Sequence, residues 1–337
     1  MGKRYRDTKL LARIAPRTQV SDLGESMGSE FQGIFSPQYP KSTIGRYISE
    51  QFISGSRTYV ERYQQIEVWD YYLRQAFHRL GFSKDERKDL LILDIGSGAG
   101  NTIFPLLNLC PGAHVIATDL SVHLLAMLKR TLEKRGLACR CTILQLNAED
   151  LDFAPGTFDM VVGGAILHHL FAPEKTVEGC SEILKRGGCA IFFEPFENGN
   201  AIIGCMYRDI LRSRRKRSIP PETRRLLTNM IRDFEVRKGR DKSSHIFARR
   251  DDKWLFTKSY FLELAARYGF HQCDIYALHK TENQFINQTE VNLRLGIGES
   301  KEALPQWAWR IVRKYEGAFS EDLKKELIIE GCIILKK

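Results

Sequence analysis

Three glycines alternate directly after an apolar run in the segment LDIGSGAGN. Gly96, Gly98 and Gly100 leave the backbone without Cβ atoms where a strand is expected to run into a helix. Backbone amides that are bare in this way let a ligand approach closely. Asp119 lies nineteen residues after Gly100, at the end of the next apolar run. Because a carboxylate there can accept hydrogen bonds from both ribose hydroxyls, the pattern indicates a cofactor that contains adenosine.

The spacing of the glycines distinguishes between two such cofactors. In the dinucleotide fingerprint G-x-G-x-x-G/A, read from Gly96, the last position falls on Asn101. The glycines instead alternate strictly, and Asp94 precedes them. S-adenosylmethionine has an ammonium group and no pyrophosphate, so an acid beside the loop suits it but would repel a dinucleotide. We therefore predict S-adenosylmethionine as the cofactor.

Two histidines and a glutamate are the candidate catalytic groups. His168 and His169 lie in LHHLFAP, after the fourth expected strand, and Glu194 lies in FFEPFE, at the end of the fifth. Ligands of an open α/β sheet bind beyond the carboxyl ends of its strands, so these side chains can approach one another. A carboxylate that orients an imidazole makes a general base near neutral pH. A role in lining the ligand without proton transfer is the alternative.

The elements that position these groups alternate between apolar runs and helical patterns from Asp89 onward. Continuous apolar strands separated by helices predict a parallel sheet that is covered on both faces. Before this region, residues 1 to about 55 are rich in Gly, Ser and Pro and predict loops and short turns. Apolar residues at spacings of three and four then predict one amphipathic helix from Arg57 to Leu80, with its aromatic stripe mainly in the core.

Four motifs together resemble the class I S-adenosylmethionine-dependent methyltransferases, in particular the branch that acts on small molecules. They are LDIGSGAGN, ATDLS, LNAEDLDFAPGTFDMVVGGAILHHL and LKRGGCAIFFEP, and they extend roughly from Asp89 to Pro195. The resemblance implies an α/β, Rossmann-like fold with a seven-stranded, mostly parallel sheet. The implied strand order is 3-2-1-4-5-7-6, with strand 7 antiparallel.

The same resemblance implies a set of site residues. The glycines would cradle the methionine part of the cofactor, Asp119 would hold the ribose, and the loop after the third strand would flank the adenine. The implied cofactor-binding residues are Asp94, Gly96, Gly98, Gly100, Asp119, Leu120, Ala148, Glu149 and Ala165. The His and Glu pattern is also similar to that of the carbon-methylating domains of polyketide synthases, which implies that His168 is the base and Glu194 orients it, with His169 beside them.

We expect four segments in the chain. Residues 1–88 form an N-terminal helical cap, and residues 89–195 form the cofactor-binding core. Residues 196–253 form a basic helical lid, and residues 254–337 complete the core, with a helical insertion at 281–325. Cap and lid would enclose the acceptor, for which the candidate binding residues are Tyr59, Tyr63, Phe196, Tyr207 and His245.

Composition sets limits on the class of protein. The chain is 43% hydrophobic and 27% charged, as in globular proteins, and no apolar run approaches the ~20 residues of a membrane span. The N-terminus has no secretory apolar core. The eight cysteines lack the spacing of a zinc site. We therefore expect a cytoplasmic protein with reduced thiols and no metal.

The net charge of +10 bears on the acceptor and on partners. Eight basic and two acidic residues lie between Arg208 and Arg225, with a dense run from Arg212 to Arg217. We predict methyl transfer to carbon or oxygen of a small or medium organic acceptor of natural-product or lipid metabolism, either free, carrier-bound or phosphate-bearing. One alternative is an RNA methyltransferase that uses the basic insertion, although N-P-P-Y and Pro-Cys motifs are missing. Another is a cofactor-binding protein without catalysis.

Overall fold

The computed structural model describes residues 2–82, 89–242, 246–247, 250–298 and 301–337. Within these residues nine strands join one sheet: β1 (Ser21–Asp22), β2 (Ile34–Ser36), β3 (Leu91–Ile95), β4 (His114–Asp119), β5 (Cys141–Gln145), β6 (Phe158–Gly164), β7 (Leu184–Pro195), β8 (Gln272–Ala277) and β9 (Glu330–Lys336). The helices of the same residues are α1 (Gly2–Ile14), α2 (Gly24–Met27), α3 (Lys41–Tyr47), α4 (Ser56–Tyr63), α5 (Ile66–Leu80), α6 (Ile103–Leu109), α7 (Val122–Lys134), α8 (Pro173–Ile183), α9 (Glu197–Arg212), α10 (Pro221–Arg237), α11 (Lys258–Arg267), α12 (Gln284–Ile297), α13 (Gln306–Glu316) and α14 (Glu321–Glu326).

The central part of the sheet confirms the predicted order. Seven strands run β5-β4-β3-β6-β7-β9-β8, which is 3-2-1-4-5-7-6 in order of appearance. The pairs from β5 to β7 are parallel, and β9 is antiparallel to both of its neighbours. Adjacent residues of β6 enter different hydrophobic clusters, Val161 one and Val162 the other. Helices therefore cover both faces, as continuous apolar strands require.

The prediction of loops over residues 1 to 55 is wrong. This region contains helices α1 to α3 and adds two strands to the sheet, because β2 pairs in parallel with β5 and β1 pairs with β2. Ile34 and Phe35 are buried there, and the Ser36 hydroxyl donates to Gln145 Oε1 at 2.7 Å. A run of two apolar residues between glycine and serine is too short to show the alternation typical of a strand. The strand forms here because it pairs with β5.

The predicted single helix from Arg57 to Leu80 is two helices. Gln64 and Gln65 are non-helical between α4 and α5. Asn101 of the glycine loop holds the break: its Nδ2 donates to the Tyr63 carbonyl at 3.2 Å, and its Oδ1 accepts from the Gln65 amide at 3.0 Å. The contact lies 36 residues away along the chain, so local periodicity does not reveal it.

The two insertions pack against each other. Helices α9 and α10 share a hydrophobic cluster with α12 and α13, which lie between β8 and β9. This helical layer lies beside the start of β9, since Ile329, which directly precedes the strand, belongs to the same cluster. In the part of the chain that the structure describes, no helix combines the length and the apolar character needed to cross a bilayer.

Candidate active site

A cavity of about 680 Å³ opens at the carboxyl ends of the parallel strands. The glycine loop after β3, the end of β4 and the loop after β6 form one side of it. Helices α4 and α5 cover it from the N-terminal region, and residues 250–252 and the start of β9 close the far side. Gly98, Asp119, His168 and His169, which we predicted to belong to one site, therefore face a common space.

The glycine loop presents bare backbone to this cavity at Gly98. A Cβ atom there would meet nothing within 4 Å, and the Gly98 amide donates to Asp119 Oδ2 at 2.9 Å. Gly96 serves a different purpose, because its φ is +70° and a Cβ would lie 2.8 Å from the Ile166 side chain. The first glycine is thus required by backbone conformation and packing, and the second leaves room for a ligand.

Asp119 joins the loop to the end of β4. Its Oδ1 accepts from the Ser121 amide at 2.8 Å, while Oδ2 accepts from Gly98. Burial raises the pKa of Asp119, and the backbone amides oppose this shift. A carboxylate has about four acceptor sites, so two amides leave capacity for the hydroxyls of a ribose. The residue lines the cavity and fits the role predicted for it.

Asp94 lies beneath the loop and does not line the cavity. Its Oδ2 accepts from the Thr102 hydroxyl at 2.9 Å, and its Oδ1 has no hydrogen-bond partner among the described residues. Burial raises the pKa of Asp94 to about 7. A cationic ligand group near the loop would favour its charged form, so this uncompensated acid also fits a cofactor that bears an ammonium group.

The other predicted cofactor residues differ in their position. Ala165 lines the cavity with a φ of +56°, and its amide donates to the Phe193 carbonyl at 3.0 Å. Leu120, Ala148 and Glu149 do not line it. The Glu149 carboxylate instead accepts from the backbone amides of Phe171 and Ala172. Their assignment to the cofactor stays a prediction.

Only some of the residues predicted to bind the acceptor line the cavity. Tyr59 and Tyr63 of α4 line the cavity. The structure does not bring Phe196 and Tyr207 to it, because both are fully buried in hydrophobic clusters of the protein. His245 lies outside the described residues.

Several cavity residues were not among the predicted site residues, and they include Phe193 and the acids Asp252 and Glu330. Trp69 and Tyr72, whose aromatic rings we also considered for an acceptor pocket, line the cavity as well. Trp69 and Tyr72 belong to the aromatic stripe that we expected mainly in the core. The signal for Glu330 is a lone acid at the start of the apolar run LIIEGCIILKK.

Glu194 and His168 form a hydrogen-bonded pair. The Nδ1–H of His168 donates to Glu194 Oε2 at 2.7 Å, and Glu194 is fully buried at the end of β7. The backbone amides of Ile166, Leu167 and His168 also donate to this carboxylate, at 3.0, 2.7 and 3.2 Å. The turn after β6 is thus wrapped around Glu194, which leaves the Nε2 of His168 directed away from it.

Asp252 lies beside Nε2, the second ring nitrogen of His168. Its Oδ1 is 3.6 Å from His168 Nε2 and 3.2 Å from His169 Nδ1. Burial alone would lower the pKa of His168, but the charges of Glu194 and Asp252 raise it to about 9. Burial opposes ionisation of Asp252 as well, yet the two adjacent histidines hold the pKa of Asp252 well below its usual range. Protonated His168 therefore forms ion pairs with Glu194 and Asp252 at neutral pH, and His169 lies beside them; we call His168, His169 and Asp252 the ion-pair cluster.

The same cluster is the group within the described residues whose spacing would suit a metal ion. The ligand atoms of His168, His169 and Asp252 lie within 4.8 Å of one another. However, His169 Nδ1 is 3.1 Å from the Asp251 carbonyl, which can only accept, so this nitrogen carries a proton. The Lys253 ammonium also lies close by and donates to the carbonyls of His169 and Asp251. We therefore interpret the group as an ion-pair cluster rather than a metal centre.

A short segment, residues 251–254, fixes the histidine turn from outside. The Lys253 amide donates to the His168 carbonyl at 2.7 Å, and Trp254 Nε1 donates to the Leu170 carbonyl at 2.8 Å. Because these bonds satisfy the carbonyls of the turn, they hold the His168 ring between Glu194 and Asp252.

Comparison with known proteins identifies the core. Residues 92–188 match the family model described as "Methyltransferase domain". The matched segment carries the glycine loop, Asp119 and both histidines, in the strand order described above. This part of the chain, less than a third of its length, is therefore similar to methyltransferase domains.

Curated relatives match about a third of the chain. A demethylmenaquinone methyltransferase of Thermus thermophilus is 30% identical over 123 residues, which are 36% of this chain and 55% of that protein. A ubiquinone/menaquinone biosynthesis C-methyltransferase of Syntrophotalea carbinolica is 28% identical over 118 residues, 35% of this chain and 48% of the relative. The matches thus span about half the length of these relatives. Among solved structures, Haemonchus contortus phosphoethanolamine N-methyltransferase 2 in complex with S-adenosyl-L-methionine is 16% identical, with a TM-score of 0.46, covering 84% of this chain and 60% of that chain.

Proposed function

We propose that this protein transfers a methyl group from S-adenosylmethionine to carbon or oxygen of a small or medium organic acceptor in the cavity. The observation that carries the proposal is that the Gly98–Asp119 cradle faces the same cavity as His168, the ring that Glu194 orients. The quinone methyltransferases among the relatives support an organic acceptor of this size.

Different residues would have different roles in this reaction. The glycine loop and Asp119 would hold the cofactor, which when bound supplies an activated methyl group on a positively charged sulfur. Tyr59 and Tyr63 would cover the site from α4 and exclude water. Glu194 fixes the ring of His168 by accepting from Nδ1, so Nε2 is the nitrogen that would take a proton from the acceptor. Holding the acceptor in line with the methyl group is the other contribution that the cavity makes.

The test is an assay with isotopically labelled S-adenosylmethionine and panels of quinols, phenols and lipid-derived acceptors. We expect S-adenosylhomocysteine to form together with an acceptor heavier by about 14 Da, the mass of one CH₂ gained in cofactor-supplied group transfer. Cofactor binding without turnover on any acceptor class would support the alternative of a cofactor-binding protein without catalysis. The cytoplasmic location and a carrier-bound acceptor remain predictions.

One observation favours a second candidate, an RNA methyltransferase. The dense basic run of Arg212 to Arg217 is mostly exposed at the end of α9 and beyond it, where a phosphate backbone could contact it. None of these residues lines the cavity, so the run would bind RNA outside the site of methyl transfer. Retention on RNA that falls steeply with salt, together with methylation of that RNA, would support this candidate over a small acceptor.

A further inference from the structure

Three aromatic rings form one corner of the cavity, which we name the aromatic corner: Trp69 and Tyr72 of α5 and Phe193 of β7. The ring centroids of Trp69 and Phe193 are 5.7 Å apart, those of Trp69 and Tyr72 6.0 Å, and those of Tyr72 and Phe193 6.1 Å. All three rings line the cavity, so they present aromatic surface to a bound molecule.

Glu330 lies beside the aromatic corner at the start of β9. It is opposite Pro195 in the β7–β9 pairing, and Cys332 is opposite Phe193, so Glu330 and Phe193 lie on the same face of the sheet. After burial, the charge of Glu330 is the main cause that raises the pKa of Tyr72 to about 12. Glu330 and Tyr72 also line the same cavity.

No cation of the described residues is paired with Glu330. None of the described residues forms a hydrogen bond, or an ion pair within 4 Å, with the Glu330 carboxylate. The charges of His168 and Arg237 lower the pKa of Glu330 from a greater distance. Burial raises the pKa of Glu330 to about 7. A carboxylate that is held in a partly buried site without a cation is unfavourable unless a ligand supplies the charge.

The other acids that line the cavity already have partners. Asp119 accepts from backbone amides, Asp252 contacts the histidines, and Asp251 accepts from Ser49 and Gln51. Asp233 is paired with Arg237 and Arg250. Among the described lining residues, Glu330 is the carboxylate without a hydrogen bond or ion pair to the protein, and it lies next to the aromatic rings, which attract cations.

We propose that the acceptor carries a cationic nitrogen, an ammonium or quaternary ammonium group, which binds in the aromatic corner against Glu330. A cation over aromatic rings is attracted by their quadrupoles, and this attraction is strongest where water is excluded. The ligand charge also neutralises a carboxylate that otherwise lacks a partner. The inference rests on the proposed function, since it names the acceptor class of the same site. It disfavours a phosphate-bearing acceptor, because Glu330 would repel it and the run from Arg212 to Arg217 does not line the cavity.

The test is a calorimetric titration with choline and with its neutral isostere 3,3-dimethylbutan-1-ol, each in the presence of saturating S-adenosylhomocysteine. We expect choline to bind saturably and the isostere to bind at least about tenfold more weakly, as expected for loss of a desolvated cation–π contact and a charge pair. Glu330→Gln should remove this preference, and Trp69→Leu should reduce it. The control is Glu326→Gln, which changes an exposed acid that is paired with Lys258 outside the cavity.

Each outcome bears on one proposal. Affinity for S-adenosylhomocysteine, measured in every variant, shows that the cavity is folded. If the protein binds this product but shows equal affinity for choline and the isostere, or no affinity for choline, the acceptor does not carry a cation here. A preference for choline that survives in Glu330→Gln also overturns the inference. Failure of the wild-type protein to bind S-adenosylhomocysteine would instead overturn the proposed function itself.

Discussion

At the scale of single residues, His168 is the group on which the proposed chemistry depends. Glu194 is fully buried and accepts from three backbone amides besides the imidazole. These amides keep the carboxylate satisfied when the ring is removed, so His168→Ala should fold. We expect this variant to bind S-adenosylhomocysteine as the wild type does and to lose about 10²-fold in kcat, the usual contribution of a general base.

Kinetic assays with matched calorimetry check this expectation, and His271→Ala, which removes an exposed histidine outside the cavity, is the control. A chelator should leave the wild-type rate unchanged if the cluster of His168, His169 and Asp252 holds no metal. A rate of His168→Ala within about twofold of wild type would show that the ring does not transfer the proton.

Asp252 sets the pH at which His168 can act. The charges of Glu194 and Asp252 raise the pKa of His168 to about 9, and a base acts in its neutral form. The wild-type kcat/KM should therefore rise about tenfold per pH unit below pH 9 and then level off. Asp252→Asn removes one of the charges, so the apparent pKa should fall towards the ordinary value of 6.5 and the rate near pH 7 should increase.

The measurement is the pH profile of kcat/KM for both proteins. The matched control is Asp251→Asn, because the Asp251 carboxylate binds Ser49 and Gln51 rather than the histidines. An unchanged profile in Asp252→Asn, or a shift to higher pH, would contradict the account of the ion-pair cluster.

At the scale of elements, the break between α4 and α5 connects the cover of the cavity to the glycine loop. Asn101 makes both hydrogen bonds that hold the break, and each is worth about 1 kcal/mol. Asn101→Ala should therefore loosen α4, with faster hydrogen exchange over residues 56–65 and about tenfold weaker binding of S-adenosylhomocysteine. Exchange measured by mass spectrometry checks this, with Asn287→Ala, at an exposed position of α12, as the control. Unchanged exchange over α4 would mean that packing, not Asn101, holds the helix.

Elements with strong local signals were predictable, and those decided by distant contacts were not. Strands β3 to β7 follow from continuous apolar runs, and the glycines fix where β3 ends. The sheet order came from the resemblance and is confirmed. Strand β2 could not be predicted, because it depends on pairing with β5 about a hundred residues later. The break at Gln64 and Gln65 depends on hydrogen bonds from Asn101, a residue outside the segment whose periodicity predicts the helix.

The same limit applies to the site. His168, Glu194, Asp119 and Gly98 were found because motif and spacing place them at strand ends. Asp252 enters the site from an insertion and Glu330 from the last strand, so only the folded chain shows that they face the cavity. A single acidic residue in a sequence does not show whether its carboxylate has a partner in the folded protein.

At the scale of the whole molecule, the basic charge is separate from the cavity. Arg214, Arg215, Lys216 and Arg217 are exposed, and among the described residues no ion pair involves them. Replacing all four with Gln should therefore leave kcat/KM for a free small acceptor within about twofold and the melting temperature nearly unchanged, since exposed substitutions usually change stability little. A large fall in kcat/KM for a free acceptor would show that this run takes part in binding it.

The central claim is that the Gly98 loop and Asp119 bind S-adenosylmethionine. The most direct measurement is a calorimetric titration of the folded protein with S-adenosylhomocysteine and, separately, with NAD. The account predicts saturable one-to-one binding of S-adenosylhomocysteine, no binding of NAD, and loss of binding by at least about 100-fold in Asp119→Ala but not in Asp150→Ala, which changes an exposed acid after β5. Folded protein that gives no binding signal with S-adenosylhomocysteine at millimolar concentration, or that prefers NAD, would contradict it.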